Sequence, residues 1–286
     1  MSADSNVLVD VRDGIAVLTI NRPGRLNALD SPTRILLAER LRQLGSGDDA
    51  EAVIVTGAGR AFCVGDDLTT LLTEVTDRQA AVRTINEFHD LTRAVMQSRV
   101  PMAAAVNGPA LGGAFEWLLS FDWRVGCPAT VLTAPENLVG LTISNAGSYL
   151  LGHMLRAADV SRVVLDCEAI DAAEAHALGL LDLLVDADVV TAAELHLRSW
   201  TRPGSATRHH LAMIRPDPDL LEAAMERETE AFALAWDEGL VTQAVRNFTS
   251  RQRGAPFRGS AADGQATTGP TTSDLATSPI PTLENT

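Results

Sequence analysis

Two short, continuous and mainly apolar runs, Ala52 to Thr56 (AVIVT) and Met102 to Val106 (MAAAV), each lead directly into a glycine-rich turn, and this repetition restricts the fold more than any other feature. Apolar runs of this length without alternation suit strands buried on both faces. The first turn reads Thr56-Gly57-Ala58-Gly59-Arg60-Ala61-Phe62-Cys63-Val64-Gly65-Asp66-Asp67-Leu68. The second, Asn107-Gly108-Pro109-Ala110-Leu111-Gly112-Gly113, opens a helix expected from about Gly112 to Ser120. A helix from Ser31 to about Gly45 precedes the first strand, with Ser31 as its cap and Pro32 at the first helical position. An amphipathic helix from about Asp77 to Arg99, ended by Pro101, separates the two runs. Strand, turn, helix and strand in succession predict an α/β layered core with crossover connections.

The flanking regions complete this outline. Asn6 to Ile20 alternates apolar residues on both sides of Asp13-Gly14, a pair that favours a tight hairpin turn. From about Ser144 through Phe248 the spacing is mostly helical. Beyond Arg258 the chain has no aromatic residue and is rich in Thr, Ser, Ala, Gly and Pro, so 259–286 is expected to be a disordered tail.

Charge and composition exclude several chemistries. All 23 positive residues are arginine, against 37 acidic ones, for a net charge of −14. Without lysine there is no Schiff-base chemistry, no Walker-type phosphate loop and no biotinyl or lipoyl arm. An acidic chain is a poor partner for nucleic acid or an anionic membrane. Cys63, Cys127 and Cys167 form no C-x-x-C pair, so neither a disulfide framework nor a zinc site is expected, and a cytoplasmic setting is simplest. The N-terminus has no secretory pattern, and the long apolar stretch Val100 to Phe121 contains Asn107, Pro109 and Glu116, which argues against a membrane span.

The remaining chemistry falls to carboxylates and backbone amides. Glycine-rich turns let a ligand approach the backbone, and two amides aimed at one oxygen would form an oxyanion hole. Glu116 lies one turn into the second predicted helix, and Glu136 sits between Pro135 and Gly140. These residues alone allow two readings: a pair for acid/base work, or a helix-start carboxylate and a solvated loop acid. Other motifs fall short. Gly57-Ala58-Gly59 has Phe62 where a dinucleotide fingerprint needs glycine, and Gly147-Ser148-Tyr149-Leu150 lacks the second glycine of a nucleophile elbow. The six histidines show no H-E-x-x-H spacing.

Taken together, five segments resemble the crotonase family, the enoyl-CoA hydratases and isomerases, over about residues 6 to 257. They are Asn21-Arg22-Pro23 with Asn27-Ala28-Leu29; the first glycine turn; Asn107-Gly108 with Gly112 to Glu116; Pro135-Glu136 with Val139-Gly140-Leu141; and Phe248 with Arg251. The resemblance implies a spiral of repeated ββα units over 1–200 carrying an acyl-CoA site, and a C-terminal helical trimerisation region over 201–258. It implies no cofactor beyond the CoA of the substrate, no metal, and a homotrimer or dimer of trimers. Carried over by position, Val64 and Gly113 would supply the oxyanion-hole amides, while Glu116 and Glu136 would hold the water of a hydration reaction. CoA would contact Arg22, Arg25, Ala61, Asp66, Phe248 and Arg251, with Arg60 adjoining. Leu68, Trp117, Leu141 and Ser144 would line the acyl pocket.

Possession of both acids favours hydration over the family's isomerase, decarboxylase, lyase and thioester hydrolase reactions. Ser144 stands where the dienoyl isomerases carry an extra Asp. A non-catalytic acyl-CoA-binding scaffold is the alternative of a different class. Thr142 to Leu151 replaces the Pro-x-x-Gly-Gly-Thr-Gln-Arg-Leu type of segment found in housekeeping hydratases, so the acyl group is expected to differ from a plain straight chain.

Overall fold

In the computed structural model, residues 3–243 and 246 are described. The expected tail, Phe248 and Arg251 lie outside the described residues. The chain starts with the expected hairpin, β1 (Val7–Arg12) antiparallel to β2 (Ile15–Ile20), turning at Asp13 and Gly14 with positive φ at both. Helix α1 (Ser31–Gly45) leads to β3 (Ala52–Gly57). Its cap is Asp30, not Ser31: the Thr33 N–H donates to Asp30 Oδ1 at 3.1 Å, and Ser31 is already helical. The carboxylate is the stronger acceptor for the orphan N–H groups of the first turn.

A short helix not expected from the sequence, α2 (Leu68–Glu74), precedes α3 (Arg78–Met96), which is capped by Asp77. Next come β4 (Met102–Val106), β5 (Ala110–Leu111), α4 (Gly113–Leu118), β6 (Trp123–Gly126) and β7 (Val131–Thr133). The helical second half contains α5 (Gly147–Met154), α6 (Ala157–Val164), α7 (Ala172–Ala177), α8 (Val189–Trp200), α9 (Thr207–Ile214) and α10 (Pro218–Asp237). Two short strands, β8 (Ile170–Asp171) and β9 (Leu183–Leu184), interrupt it.

The central sheet has the order β1-β2-β3-β4-β6-β9 and is parallel from β2 onward; β5, β7 and β8 form a second, small sheet. The fold is mixed α/β, as the alternation of elements predicts. Every residue of β3 and β4 is buried. Their side chains alternate between two cores: Val53, Val55, Ala104 and Val106 pack with α1 and α3, whereas Ile54, Ala103 and Ala105 pack with Val189, Ala193 and Leu197 of α8. That is the period-two consequence of a strand covered on both faces. Among the described residues no helix is long and apolar enough to cross a membrane.

Parallel pairing of β3 and β4, with Val55 opposite Ala104, brings the two glycine turns out of the same carboxyl edge. In open α/β sheets this edge is where ligands bind.

Candidate active site

The first glycine turn is folded back tightly. A Cβ on Gly57 would lie 2.2 Å from the carbonyl oxygens of Ala61 and Phe62, so only glycine fits there. Asn27, itself left-handed at φ 60°, donates from Nδ2 to Ala58 O and Ala61 O at 2.9 and 2.8 Å, fixing the loop. The second turn packs against it: a Cβ on Gly65 would come within 2.7 Å of Leu111 O and 3.4 Å of Gly113 N. Val64 and Gly113 thereby face one cavity of about 90 Å³. Among the described residues neither backbone N–H has a protein acceptor.

Of the two glutamates, only Glu136 lines this cavity. Glu116, fully buried, stands behind Ser144 in its wall. The Ser144 N–H and hydroxyl both donate to Glu116 Oε2, at 2.7 and 2.6 Å. Glu116 Oε1 and Glu136 Oε2 are buried without a protein partner. Gly112, at φ +58°, allows the approach: a Cβ there would sit 2.6 Å from Glu136 Oε1. Burial pushes Glu136 up to about 7. Glu116 is raised well above the usual carboxylate range by burial and then by the charge of Glu136, against the lowering effect of Ser144. Two close carboxylates in a dry site share protons as a pair, so one proton is retained near neutrality.

Behind Glu116 lies a polar network that the sequence alone does not reveal. Glu228 of α10 accepts from the Ala146 N–H (2.9 Å) at Oε2 and from the Ser148 N–H (2.9 Å) and hydroxyl (2.6 Å) at Oε1, closing the start of α5. His89 is fully buried, and burial followed by the Arg93 charge drives it down to about 3. Being neutral, it can accept at Nδ1 from the Asn145 N–H at 3.2 Å. Asn145, at φ 61°, donates to Gly113 O and Ser144 Oγ, both at 3.0 Å. The loop holding Glu116 is thus tied to α3, α4 and α10.

The remaining expected site residues separate into three groups. Leu68, Leu141 and Ser144 line the cavity. Trp117 does not: it is fully buried in the core against Phe62 and Phe121, with ring centroids 6.3 and 5.0 Å away. Successive helical residues point about 100° apart, so a helix that turns Glu116 to the site turns Trp117 away. Of the residues expected to hold CoA, Arg22 is engaged within the protein by Asp30 and Asp67 at 2.8 and 3.1 Å, and Ala61 is buried with its carbonyl bound by Asn27. Asp66 lines the cavity and pairs with Arg34 at 2.7 Å. Arg25 stays exposed, donating to Thr69 Oγ1 at 3.2 Å.

The sequence reading also missed Thr84, Ile85, Phe88 and Phe232, which complete the wall. Their apolar spacing on α3 and α10 is that of any core-facing helix and carries no separate signal.

Comparison with known proteins gives the family and the fold. Residues 10–254 match the family model described as enoyl-CoA hydratase/isomerase. The chain is 31% identical over 240 residues to a "probable enoyl-CoA hydratase", echA12, of Mycobacterium tuberculosis, covering 79% of this chain and 84% of that protein. It superposes on an enoyl-CoA hydratase from Bacillus halodurans with TM-score 0.77 at 20% identity, covering 85% of this chain and all of that one. An enoyl-CoA hydratase/isomerase from Pseudoalteromonas atlantica gives TM-score 0.75 at 26% identity, covering 86% and 97%. With a site of two buried carboxylates beside free backbone amides on this fold, the chain belongs to the crotonase family of enoyl-CoA hydratases and isomerases.

Proposed function

We propose that the protein hydrates the double bond of a 2-enoyl thioester of CoA. The observation that carries this reading is the pair of unpartnered buried oxygens, Glu136 Oε2 in the cavity that the unengaged N–H groups of Val64 and Gly113 face, and Glu116 Oε1 behind Ser144 of its wall. An unsatisfied buried carboxylate oxygen is costly and calls for a donor supplied by a ligand or water. A water donating to both acids would stand over the substrate double bond.

In this mechanism Glu116, ionised, takes a proton as the water oxygen bonds to Cβ. The π electrons move onto the thioester oxygen, where the Val64 and Gly113 N–H groups hold the enolate. Glu136, protonated, then delivers its proton to Cα, and proton return from Glu116 restores the pair. One amide at such an oxygen is worth about 3 to 4 kcal/mol, and each acid or base about 10² to 10⁴ in rate. The raised titration belongs to the pair and supplies one ionised and one protonated carboxyl near neutral pH; the division of roles between Glu116 and Glu136 is part of the proposal.

The exposed Arg25 offers a phosphate contact for CoA. The exposed Met213 and Ile214 of α9 are compatible with a self-associating C-terminal region. The direct test is loss of the conjugated thioester absorbance when a 2-enoyl-CoA is added. Glu116→Gln should lower kcat by about 10² to 10⁴ with the fold intact; hydration at the wild-type rate by that variant would refute the two-acid mechanism.

A further inference from the structure

Three polar side chains lining the cavity, Asp66, Thr84 and Thr142, have no part in the hydration chemistry, and the Thr142 hydroxyl is buried without a partner among the described residues. Thr84 of α3 is 5% exposed and lines the cavity, yet its hydroxyl has no hydrogen-bond partner among the described residues. Asp66 lines the same cavity and keeps 14% of its side chain exposed, with Oδ1 bound to Arg34 Nη1. Arg34 links Asp66 to the helix that carries Thr84. It pairs with Glu87, one helical turn beyond Thr84, and lies 4.9 Å over the ring of Phe88, which shares the cavity face of α3 with Thr84.

The charge around Arg34 is not balanced. Arg34 faces Asp66, Glu74 and Glu87, three carboxylates around one guanidinium, and of these only Asp66 lines the cavity. A ligand group placed there must donate a hydrogen bond and carry no negative charge. A hydroxyl fits best: it donates to the acceptor-only carboxylate and accepts from the free Thr84 hydroxyl. Burial raises Asp66 to about 6, which leaves it an acceptor at neutral pH. The cavity, about 90 Å³ and walled by Ile85, Phe88 and Phe232, has room for roughly six to nine waters. It admits few atoms beyond the reacting carbons.

Resting on the hydration reading for the reacting end, we propose that the acyl group is short and carries a hydroxyl beyond the double bond, bound between Asp66 and Thr84. A buried polar pair of this kind discriminates strongly against analogues that leave it unpaired.

The test is titration calorimetry of the full-length protein with four unreactive esters: 5-hydroxypentanoyl-CoA, pentanoyl-CoA, glutaryl-CoA and octanoyl-CoA. The hydroxylated ester should bind at least tenfold tighter than pentanoyl-CoA, with the glutaryl and octanoyl esters weaker still. Asp66→Ala and Thr84→Val should each reduce the hydroxyl preference below threefold. Arg34 keeps Glu74 and Glu87 in the first variant, and the second exchanges a hydroxyl for a methyl, so both should retain the wild-type circular dichroism. Equal or tighter binding of pentanoyl-CoA, or a preference untouched by both substitutions, would overturn the proposal. Turnover of pent-2-enoyl-CoA and its 5-hydroxy analogue separates the two readings. A hydroxyl preference in binding without hydration of either sinks hydration alone, hydration without the preference sinks this inference alone, and failure of every ester to bind sinks both.

Discussion

Ser144 holds Glu116 through both of its donors: the backbone N–H at 2.7 Å and the hydroxyl at 2.6 Å converge on Oε2, leaving Oε1 bare. This asymmetry orients the carboxylate and opposes the rise in its proton affinity that burial and Glu136 impose.

Ser144→Ala removes one of those two donors while the N–H bond remains. The ionised form of Glu116 loses support, so its proton affinity rises further. The acidic limb of the kcat profile should move to higher pH, and kcat at neutral pH should fall about tenfold, the equivalent of roughly 1.4 kcal/mol. Steady-state kinetics across the pH range checks this; an unmoved limb would mean that the hydroxyl does not tune Glu116.

Glu136 makes stability fall as pH rises. Its carboxyl is raised from 4.5 to about 7 in the folded protein, so between those values the native state binds more protons than the unfolded chain. Its contribution is complete below about 4.5, declines as pH climbs through 7, and stays lost above. Glu136→Gln should therefore raise Tm at pH 8, by on the order of 5 °C, and leave it nearly unchanged at pH 5. Thermal melts at the two pH values decide, and an equal shift at both would contradict the assignment.

Glu228 positions Glu116 indirectly, by closing the start of α5 that follows Ser144. In Glu228→Gln an amide NH₂ must face at least one backbone N–H that the carboxylate satisfied. We expect a loss of about 1 to 3 kcal/mol in urea unfolding, since buried donors are left unpaired. Loosening of the Ser144 loop should lower kcat with little change in KM and shift its pH profile, effects that general destabilisation would not produce in the folded fraction.

Trp117→Phe tests the placement of that ring in the core. Removing part of a fully buried side chain should cost about 1 to 2 kcal/mol. Relative turnover across acyl chain lengths should not change, because the ring does not line the cavity. A changed chain-length preference in a kinetic panel would place Trp117 at the acyl group after all.

Much of the fold is legible in the local pattern. The hairpin turning at Asp13-Gly14, the buried runs that become β3 and β4, and helices α1 and α3 all follow from periodicity and turn chemistry. Helix α2 was not anticipated, because Leu68 to Glu74 is short and depends on the Asp67 cap, which accepts from the Thr69 N–H at 3.2 Å. In the site, the glycine turns and the two glutamates stand out because their residue types are unusual for a packed core. Glu228 does not: in the charged stretch of α10 it looks like any solvated helix acid.

By itself the sequence determined the strand and turn repetition, the position of two acids beside flexible backbone, and an arginine-only cation set. These are local properties, set by side-chain chemistry and spacings of a few residues. Tertiary structure decided which groups share an environment. It buried Glu228 beneath α5, set Asp66 and Thr84 in the wall of one cavity, occupied Arg22 with two aspartates, and turned Trp117 into the core. Desolvation and pairing depend on neighbours supplied by distant segments, and a carboxylate has no fixed role until its neighbours and its access to water are set.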